Sequence, residues 1–501
     1  MKVALNWLKN YVKINQTPSQ LAEGLTDLGL ECTYKKYGIS FSGVIVGEVI
    51  ECKPHNNSDH LSICKVQVDN SSIFDVVCGA PNIKKGILVP FAQVGATLDF
   101  GKFEIKETKI RGVVSEGMIC SERELDLGNN HEGIMILNDT CTRGSNFKDI
   151  VNIKEDIIYD IDLTPNRGDC LGHLGVAREV AILENKDIDN GYNQIEFKTS
   201  KLQEDFTIKV SDANNCKRYT ACIIRGVEVK ESPVWLKQNL ELIGQKSINN
   251  IVDAANYILM DLGHPMHTFD LDKIKSSTID VRSAVKGEKI ITLEGVERNL
   301  SEDNLLICDN TNPIAIAGII GGNNSGVDRN TKNILIESAY FDPTSIRKSS
   351  KQLGISTEAS KRFERDTDIE ILIPALKKLS MMIQELAGGQ VSSNIFDIYS
   401  TKRDEKKIIF NIENCNRFLG SNVDIEAAKN IFDSLYISSL EKAGNLDCVI
   451  PSFRNDLNRE VDLYEEIARV VGYNNIENSE TCSIVFSSLL NDKRNIDSRL
   501  R

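Results

Sequence analysis

The chain is predicted to be a multidomain α+β protein, on three observations. Its 501 residues are about three times a typical domain of ~150 residues, so several separate cores are expected. Apolar residues make up 41% and charged residues 26%, a globular balance that excludes a disordered chain. The texture also changes along the sequence, from helical spacing to short β runs and then to a mixture of the two.

The first unit is small. Thr17-Pro18-Ser19-Gln20 reads as a helix start, with Thr17 as N-cap, Pro18 at the first position and Gln20 closing a capping box. Leu21, Leu25 and Leu28 then recur at helical spacing before Gly29 stops the helix. Five β-rich runs follow, at 44–50, 63–68, 73–78, 87–92 and 103–110. Their spacing of ~8–12 residues predicts a small barrel or sandwich. Ser121-Glu122-Arg123-Glu124 is a second capping box.

Ile157, Tyr159, Ile161 and Leu163 alternate with mostly polar neighbours, the pattern of a half-buried strand. After the turn Pro165-Asn166-Arg167-Gly168-Asp169, a helix capped by Asp169 is predicted from Leu171, Leu174 and Ala181. With helix and strand material on both sides of the β runs, the barrel is expected to be inserted into an N-terminal domain. Residues 186–206 read as a linker. Beyond it come a strand at 219–229, a helix opened by Ser232-Pro233 and ending at Gly244, and another marked by Ile251, Ala255, Ile258, Leu259 and Leu262 before Gly263. This α+β region extends to about 395, and a charged joint at 402–407 leads into a last small unit.

A net charge of −13 repels a phosphate backbone at long range, so any RNA contact must be local. The thirteen cysteines are odd in number and far below the ~8–10% of a disulfide scaffold, which points to reduced thiols and a cytoplasmic location. Asn6, Lys9, Asn10 and Lys13 interrupt the N-terminal apolar stretch, and no run approaches the ~20 residues of a membrane span.

Several constellations could carry chemistry. Cys52, His55, His60 and Cys64 offer zinc-type ligands, but at a spacing loose enough that a polar hairpin loop is preferred. Residues 40–150 carry four more acidic than basic side chains, whereas the strip 84–111 holds Lys84, Lys85, Lys102, Lys106, Lys109 and Arg111 against three acids. With Phe91, Phe100 and Phe103 available for stacking, that strip is the candidate RNA contact, set against a plain solvated β face. His264 and His267 stand just past a helix end, where a capping turn and acid–base work compete. The glycine-rich stretch 317–326 matches neither nucleotide fingerprint, and it reads either as a pocket wall or as a tight turn. Asp456, Asp462, Glu465 and Glu466 form the sharpest set, since the last three share one helix face. Oxygen ligands suit Mg²⁺. A first-turn acidic preference with Glu465 paired to Arg469 explains them equally well.

Eight phrases, in order, give the chain its likeness: VVCGAPN (76–82), KIRGVVSEGMICSERELDL (109–127), DLTPNRGDCLGHLGVAREV (162–180), INNIVDAANYILMDLGHPMHTFDLDKI (248–274), AIAGIIGGNNSG (315–326), ILIESAYFDP (334–343), STEASKRFERDTD (356–368) and PSFRNDLNREVDLYEEIARVVGY (451–473). Together they resemble the β subunit of bacterial phenylalanine–tRNA ligase. The resemblance implies an N-terminal α/β domain at 1–39 and 151–200, with an inserted OB-fold tRNA-binding barrel at 40–150. It also implies an α+β editing domain of the B3/B4 type at 207–395, a small α+β domain with an acidic Mg²⁺ site at 401–477, and the start of a synthetase-like domain at 478–501. It assigns an editing pocket that removes tyrosine from mischarged tRNA(Phe) to Glu337, His267, Asn256, Gly318 and Thr357, with Glu337 accepting the phenolic proton. It assigns Mg²⁺, shared with the α subunit, to Asp456, Asp462, Glu465 and Glu466. ATP is then used by the α subunit, within an α2β2 heterotetramer.

Three positions depart from the family pattern. The loop His55 to His60 lacks a fixed positive charge, Ala255 replaces a common threonine, and His264 replaces a common glutamine. The family's β chain continues into synthetase-like and anticodon-binding domains, so most of the α-docking surface is expected to be missing. The alternative is a non-catalytic tRNA-binding or assembly module, or a stand-alone trans-editing protein.

Overall fold

A computed structural model describes residues 1–477 except 129, 152–154, 190–198 and 311. The expected start of a synthetase-like domain at 478–501 lies outside the described residues, as does much of the 186–206 linker.

The N-terminal module is a three-stranded antiparallel sheet in which Asp156–Asp162 lies between Lys2–Ala4 and Glu31–Tyr37. The chain therefore leaves this sheet at residue 37 and re-enters it at 156, with the β-rich stretch in between. Helix Pro18–Asp27 carries the capping box read from Thr17 and Gln20, and it buries Leu21 and Leu25 against Tyr159 and Ile161. The second helix is His173–Glu184, and its N-cap is Gly172 rather than Asp169. Asp169 cannot serve because the Arg167 guanidinium holds both its oxygens at 3.0 Å.

The β-rich module is one antiparallel path of strands in the order Gly117–Ile119, Leu88–Leu98, Ser42–Pro54, Ser62–Gln67 and Ile73–Cys78. Its two edges meet: the Glu116 N–H donates to the Asp75 carbonyl at 2.8 Å, and the Val77 N–H donates to Ser115 Oγ at 3.1 Å. Strand Ser62–Gln67 shows the alternation expected of one buried face, with Cys64 and Val66 inside and Lys65 outside. The predicted run 103–110 is split. Phe103–Glu104 joins the sheet edge, and Thr108–Ile110 pairs back on Val113–Ser115 through Arg111 and Gly112, both at positive φ, the backbone a two-residue hairpin turn demands. The capping box at Ser121 and Glu124 forms, but it frames a turn.

The mixed region is layered. A four-stranded antiparallel sheet runs Met266–Asp270, Asn333–Phe341, Cys216–Arg225, Gln390–Tyr399. Along Cys216–Arg225, Cys222 and Ile224 face the helices Asn250–Leu262 and Leu372–Ala387. Tyr219, Ala221 and Ile223 face a second, five-stranded sheet that contributes Ile279, Val281, Leu306 and Ile316. Both faces are apolar, as a sheet covered on each side requires. The last unit packs the sheet Lys406–Phe410, Asn445–Ile450, Ser438–Lys442 against three helices around Phe410, Phe432, Leu463 and Ile467.

Candidate functional site

Between the two sheets of the mixed region lies a cavity that includes two titratable side chains. Register places His267 directly opposite Glu337 on neighbouring strands, with Ala221 opposite Glu337 on the other side. Directly paired residues share one face of a sheet, so the imidazole and the carboxyl line the same space. Glu337 is only 6% exposed, and its Oε2 accepts a hydrogen bond from the Tyr219 hydroxyl at 3.1 Å. Burial pushes its carboxyl up to about 8, with Tyr219 acting in the opposite direction. Burial lowers the His267 imidazole to about 4, so the ring is neutral at physiological pH. Its Nε2 has no hydrogen-bond partner, and its edge meets Phe269 at 4.5 Å between centroids.

Glycines shape the wall. Gly318 has φ +66, and a Cβ there would stand 2.9–3.0 Å from Ile346, Phe363 and Phe341. A Cβ at Gly321 would stand 2.9 Å from His267 Cε1. Thr357 is set behind the wall: it caps helix Glu358–Phe363, and its hydroxyl donates to the Ile319 carbonyl at 2.9 Å, tying down the glycine-rich turn. Asn256 is half-buried on helix Asn250–Leu262 and does not line the cavity. His264 is also buried, but its Nε2 is engaged with Ser338 Oγ at 3.0 Å. The cavity measures about 60 Å³. That holds a few waters and is well short of the ~150 Å³ that admits a benzene ring, so a wall must shift before an aromatic side chain enters.

Three domain families match the chain: the putative tRNA binding domain over 44–146, the B3/4 domain over 215–388 and the tRNA synthetase B5 domain over 408–473. The β subunit of phenylalanine–tRNA ligase from Geobacter sulfurreducens is 42% identical over 503 aligned residues, covering 100% of this chain and 62% of its own. The Geobacter metallireducens protein is 41% identical with the same coverage, and that of Protochlamydia amoebophila is 42% identical over 480 residues, covering 95% and 60%. Along its whole length the chain is similar to phenylalanine–tRNA ligase β subunits. It spans 62% of the length of the two Geobacter relatives. Among solved structures, an N-terminal fragment of the phenylalanyl-tRNA synthetase β subunit from Pyrococcus horikoshii matches with a TM-score of 0.33 and 18% identity, covering 63% of this chain and 87% of the fragment.

In the B5 domain the four acids do not converge as their spacing suggests. Arg454 donates from Nε and Nη2 to the two oxygens of Asp456 at 2.9 and 2.8 Å, and from Nη1 and Nη2 to the two oxygens of Glu466 at 2.8 Å each. Arg469 also donates to Glu466, at 2.6 Å, instead of pairing with Glu465. It continues to Glu179 at 2.6 Å, which receives Arg167 at 2.6 Å. Burial works to raise the Glu466 carboxyl, but Arg454 and Arg469 hold it well below the ordinary range. Asp462 accepts the backbone N–H groups of Asn458 and Arg459 at 2.8 Å, and Glu465 is exposed. Arg454 and Arg469 supply the counter-charge to Asp456 and Glu466, and among the described residues the four acids are not gathered as one oxygen-ligand set for Mg²⁺.

The zinc candidates also fail to gather. His55 Nδ1 accepts the Asn57 N–H at 3.0 Å, and His60 is exposed. Among the described residues the one metal-type group is Asp169, Cys170 and Glu179, and Arg167 spans it. In the tRNA-binding domain the six cations of the strip are exposed, together with Phe100 and Phe103 at 39% and 56% exposure. Phe91 is in the core and cannot stack on a base. Tyr219 and Arg454 were not singled out from sequence, since neither stands at helical spacing from its acidic partner.

Proposed function

We propose that this chain acts as the β subunit of a phenylalanine–tRNA ligase, binding tRNA(Phe), assembling with an α subunit, and hydrolysing tyrosine wrongly joined to that tRNA. The observation that carries the editing role is Glu337 held by Tyr219 in a buried inter-sheet cavity opposite a neutral His267. An apolar synthetic pocket rejects an added hydroxyl by only ~100-fold, so a second site has to remove the errors. A phenol gives Glu337 a second donor, while a phenylalanine ring leaves the buried group under-satisfied at ~1–3 kcal/mol. His267, as neutral imidazole, orients a water toward the ester, and the turn held by Gly318 and Thr357 shapes the wall.

The relatives' name and the tRNA-binding match at 44–146 support tRNA(Phe) as partner, and the closed strand path supports an OB-fold reading of 40–150. The domain boundaries 1–39, 151–200, 207–395 and 401–477 belong to the same proposal. ATP and Mg²⁺ serve aminoacylation on the α subunit. No helix among the described residues is long and apolar enough to cross a membrane, and a cytoplasmic setting agrees with a role in translation.

The test is release of tyrosine from tyrosyl-tRNA(Phe) by this chain. Release slowed at least ~10-fold by Glu337→Ala and by His267→Ala, equivalent to ~1.4 kcal/mol of barrier, supports the site. Release indifferent to both substitutions refutes it.

A further inference from the structure

The hairpin that failed to build a zinc site brings two of its cysteines together. Strands Ser42–Pro54 and Ser62–Gln67 run antiparallel with Cys52 opposite Cys64. At the loop end the His55 N–H donates to the Leu61 carbonyl at 2.9 Å, and Pro54, opposite Ser62, has no N–H to give. Hydrogen-bonded and non-hydrogen-bonded pairs alternate along an antiparallel ladder. Stepping from His55 and Leu61 through Pro54 and Ser62, then Lys53 and Ile63, makes Cys52 and Cys64 a non-hydrogen-bonded pair. Such pairs have Cα atoms ~4.5 Å apart and the closest side chains, within the ~4.4–6.8 Å range that a disulfide spans. The two Sγ atoms are already 3.6 Å apart, so rotation of the side chains suffices to join them.

The two thiols differ in access. Cys64 is fully buried in the barrel core, and burial, reinforced by Cys52, pushes its thiol far up. Cys52 is half-buried at the edge of the same cluster. We propose that Cys52 and Cys64 are a redox modification site, a dithiol that hydrogen peroxide converts to a cross-strand disulfide and that thiols restore. Cys52, as thiolate, attacks one peroxide oxygen; the O–O bond breaks, the departing hydroxide leaves as water, and Cys52 becomes a sulfenic acid. The Cys64 sulfur then attacks the Cys52 sulfur, and the sulfenic hydroxyl leaves with the Cys64 proton as a second water. Two thiols lose two electrons and two protons, and one peroxide is reduced to two waters.

The bond would close the loop between the strands, whose Asn57 carbonyl receives Arg111 of the basic strip at 3.1 Å, so oxidation stiffens one end of that strip. Cys78 is the competing partner. It lies opposite Ser62, diagonal to Cys64 on the next strand, and it is buried in the same core.

The experiment treats the full chain with hydrogen peroxide, blocks the remaining thiols and maps peptides by mass. The expected result is a Cys52–Cys64 linked peptide, lighter than its parts by two hydrogen atoms, abolished by dithiothreitol and by Cys52→Ser, and retained in Cys78→Ser. A Cys64–Cys78 link overturns the proposal, as does a sulfinic acid on Cys52 without any link, or thiols that stay unreacted while the chain is folded. The wild-type map alone decides between these outcomes should a variant fold poorly, and none of them bears on the editing assignment.

Discussion

Tyr219 and Glu337, on neighbouring strands of one sheet, are joined by a 3.1 Å hydrogen bond, and neither side chain is more than 6% exposed. The phenol is the donor, so it favours the charged carboxylate against the burial that opposes it. The carboxyl is thereby poised close to neutrality and aimed, and the protein's own tyrosine makes to Glu337 the contact proposed for a substrate tyrosine.

Removing that phenol is expected to move the titration. In Tyr219→Phe the Glu337 carboxyl loses the one group that lowers it, so its midpoint should rise above about 8. The pH–rate profile for tyrosine release should shift to the alkaline side, with the fold intact by circular dichroism. A profile identical to wild type would show that the bond does not set the charge of the site.

The stability of the folded chain should carry the same signature. Glu337 is raised in the fold, so its contribution is fully present below the ordinary carboxyl value of 4.5 and is lost as pH rises through about 8. Glu337→Gln should therefore gain stability on wild type as pH goes from 5 to 9, read from urea midpoints at each pH. His267 is lowered, so its contribution is present above 6.5 and is lost as pH falls through about 4. His267→Gln should flatten the acid side only.

Gly321→Ala presses on the imidazole and on Leu293 beside it. The new methyl would stand 2.9 Å from the His267 ring, and φ at this position lies outside the left-handed region, so the backbone tolerates alanine. Expected is a marked fall in tyrosine release with less than ~1.5 kcal/mol lost in stability, both measured on the same preparation.

Arg454 sits in a buried lattice that ties the B5 domain to Glu179 and Arg167 of the N-terminal module. Arg454→Met leaves Asp456 and Glu466 without their shared counter-ion, which should cost about 3–5 kcal/mol. Chelating Mg²⁺ from the wild-type chain should leave its melting temperature unchanged. A drop on chelation would restore the acids to a metal.

Where a contact is local, the sequence was enough to find it. Thr17 and Gln20 form their capping box because both partners are within one turn, and the alternation at 157–163 is a strand because period two leaves one face to bury. The motif phrases also named Glu337, His267 and Gly318, which the sheets bring to one cavity. Contacts between distant segments were hidden. Tyr219 reaches Glu337 across 118 positions, and Arg454 reaches Glu466 from a preceding loop, so the acidic spacing on helix Glu460–Val471 looked like a ligand set with no cation in view. Phe91 was misread for another reason: its strand is covered on both faces, Val89 and Phe91 by one cluster and Ala92 by another, so no ring there is free to stack.

The most direct measurement is calorimetric binding of non-hydrolysable 3′-tyrosyl- and 3′-phenylalanyl-adenosine analogues to wild type and to Glu337→Gln. The expected result is tighter binding of the tyrosyl analogue by about tenfold, the ratio that ~1.4 kcal/mol supplies, with the preference abolished in the variant. Equal affinities in wild type, or a tyrosine preference that survives Glu337→Gln, would contradict recognition of the phenol by this carboxyl.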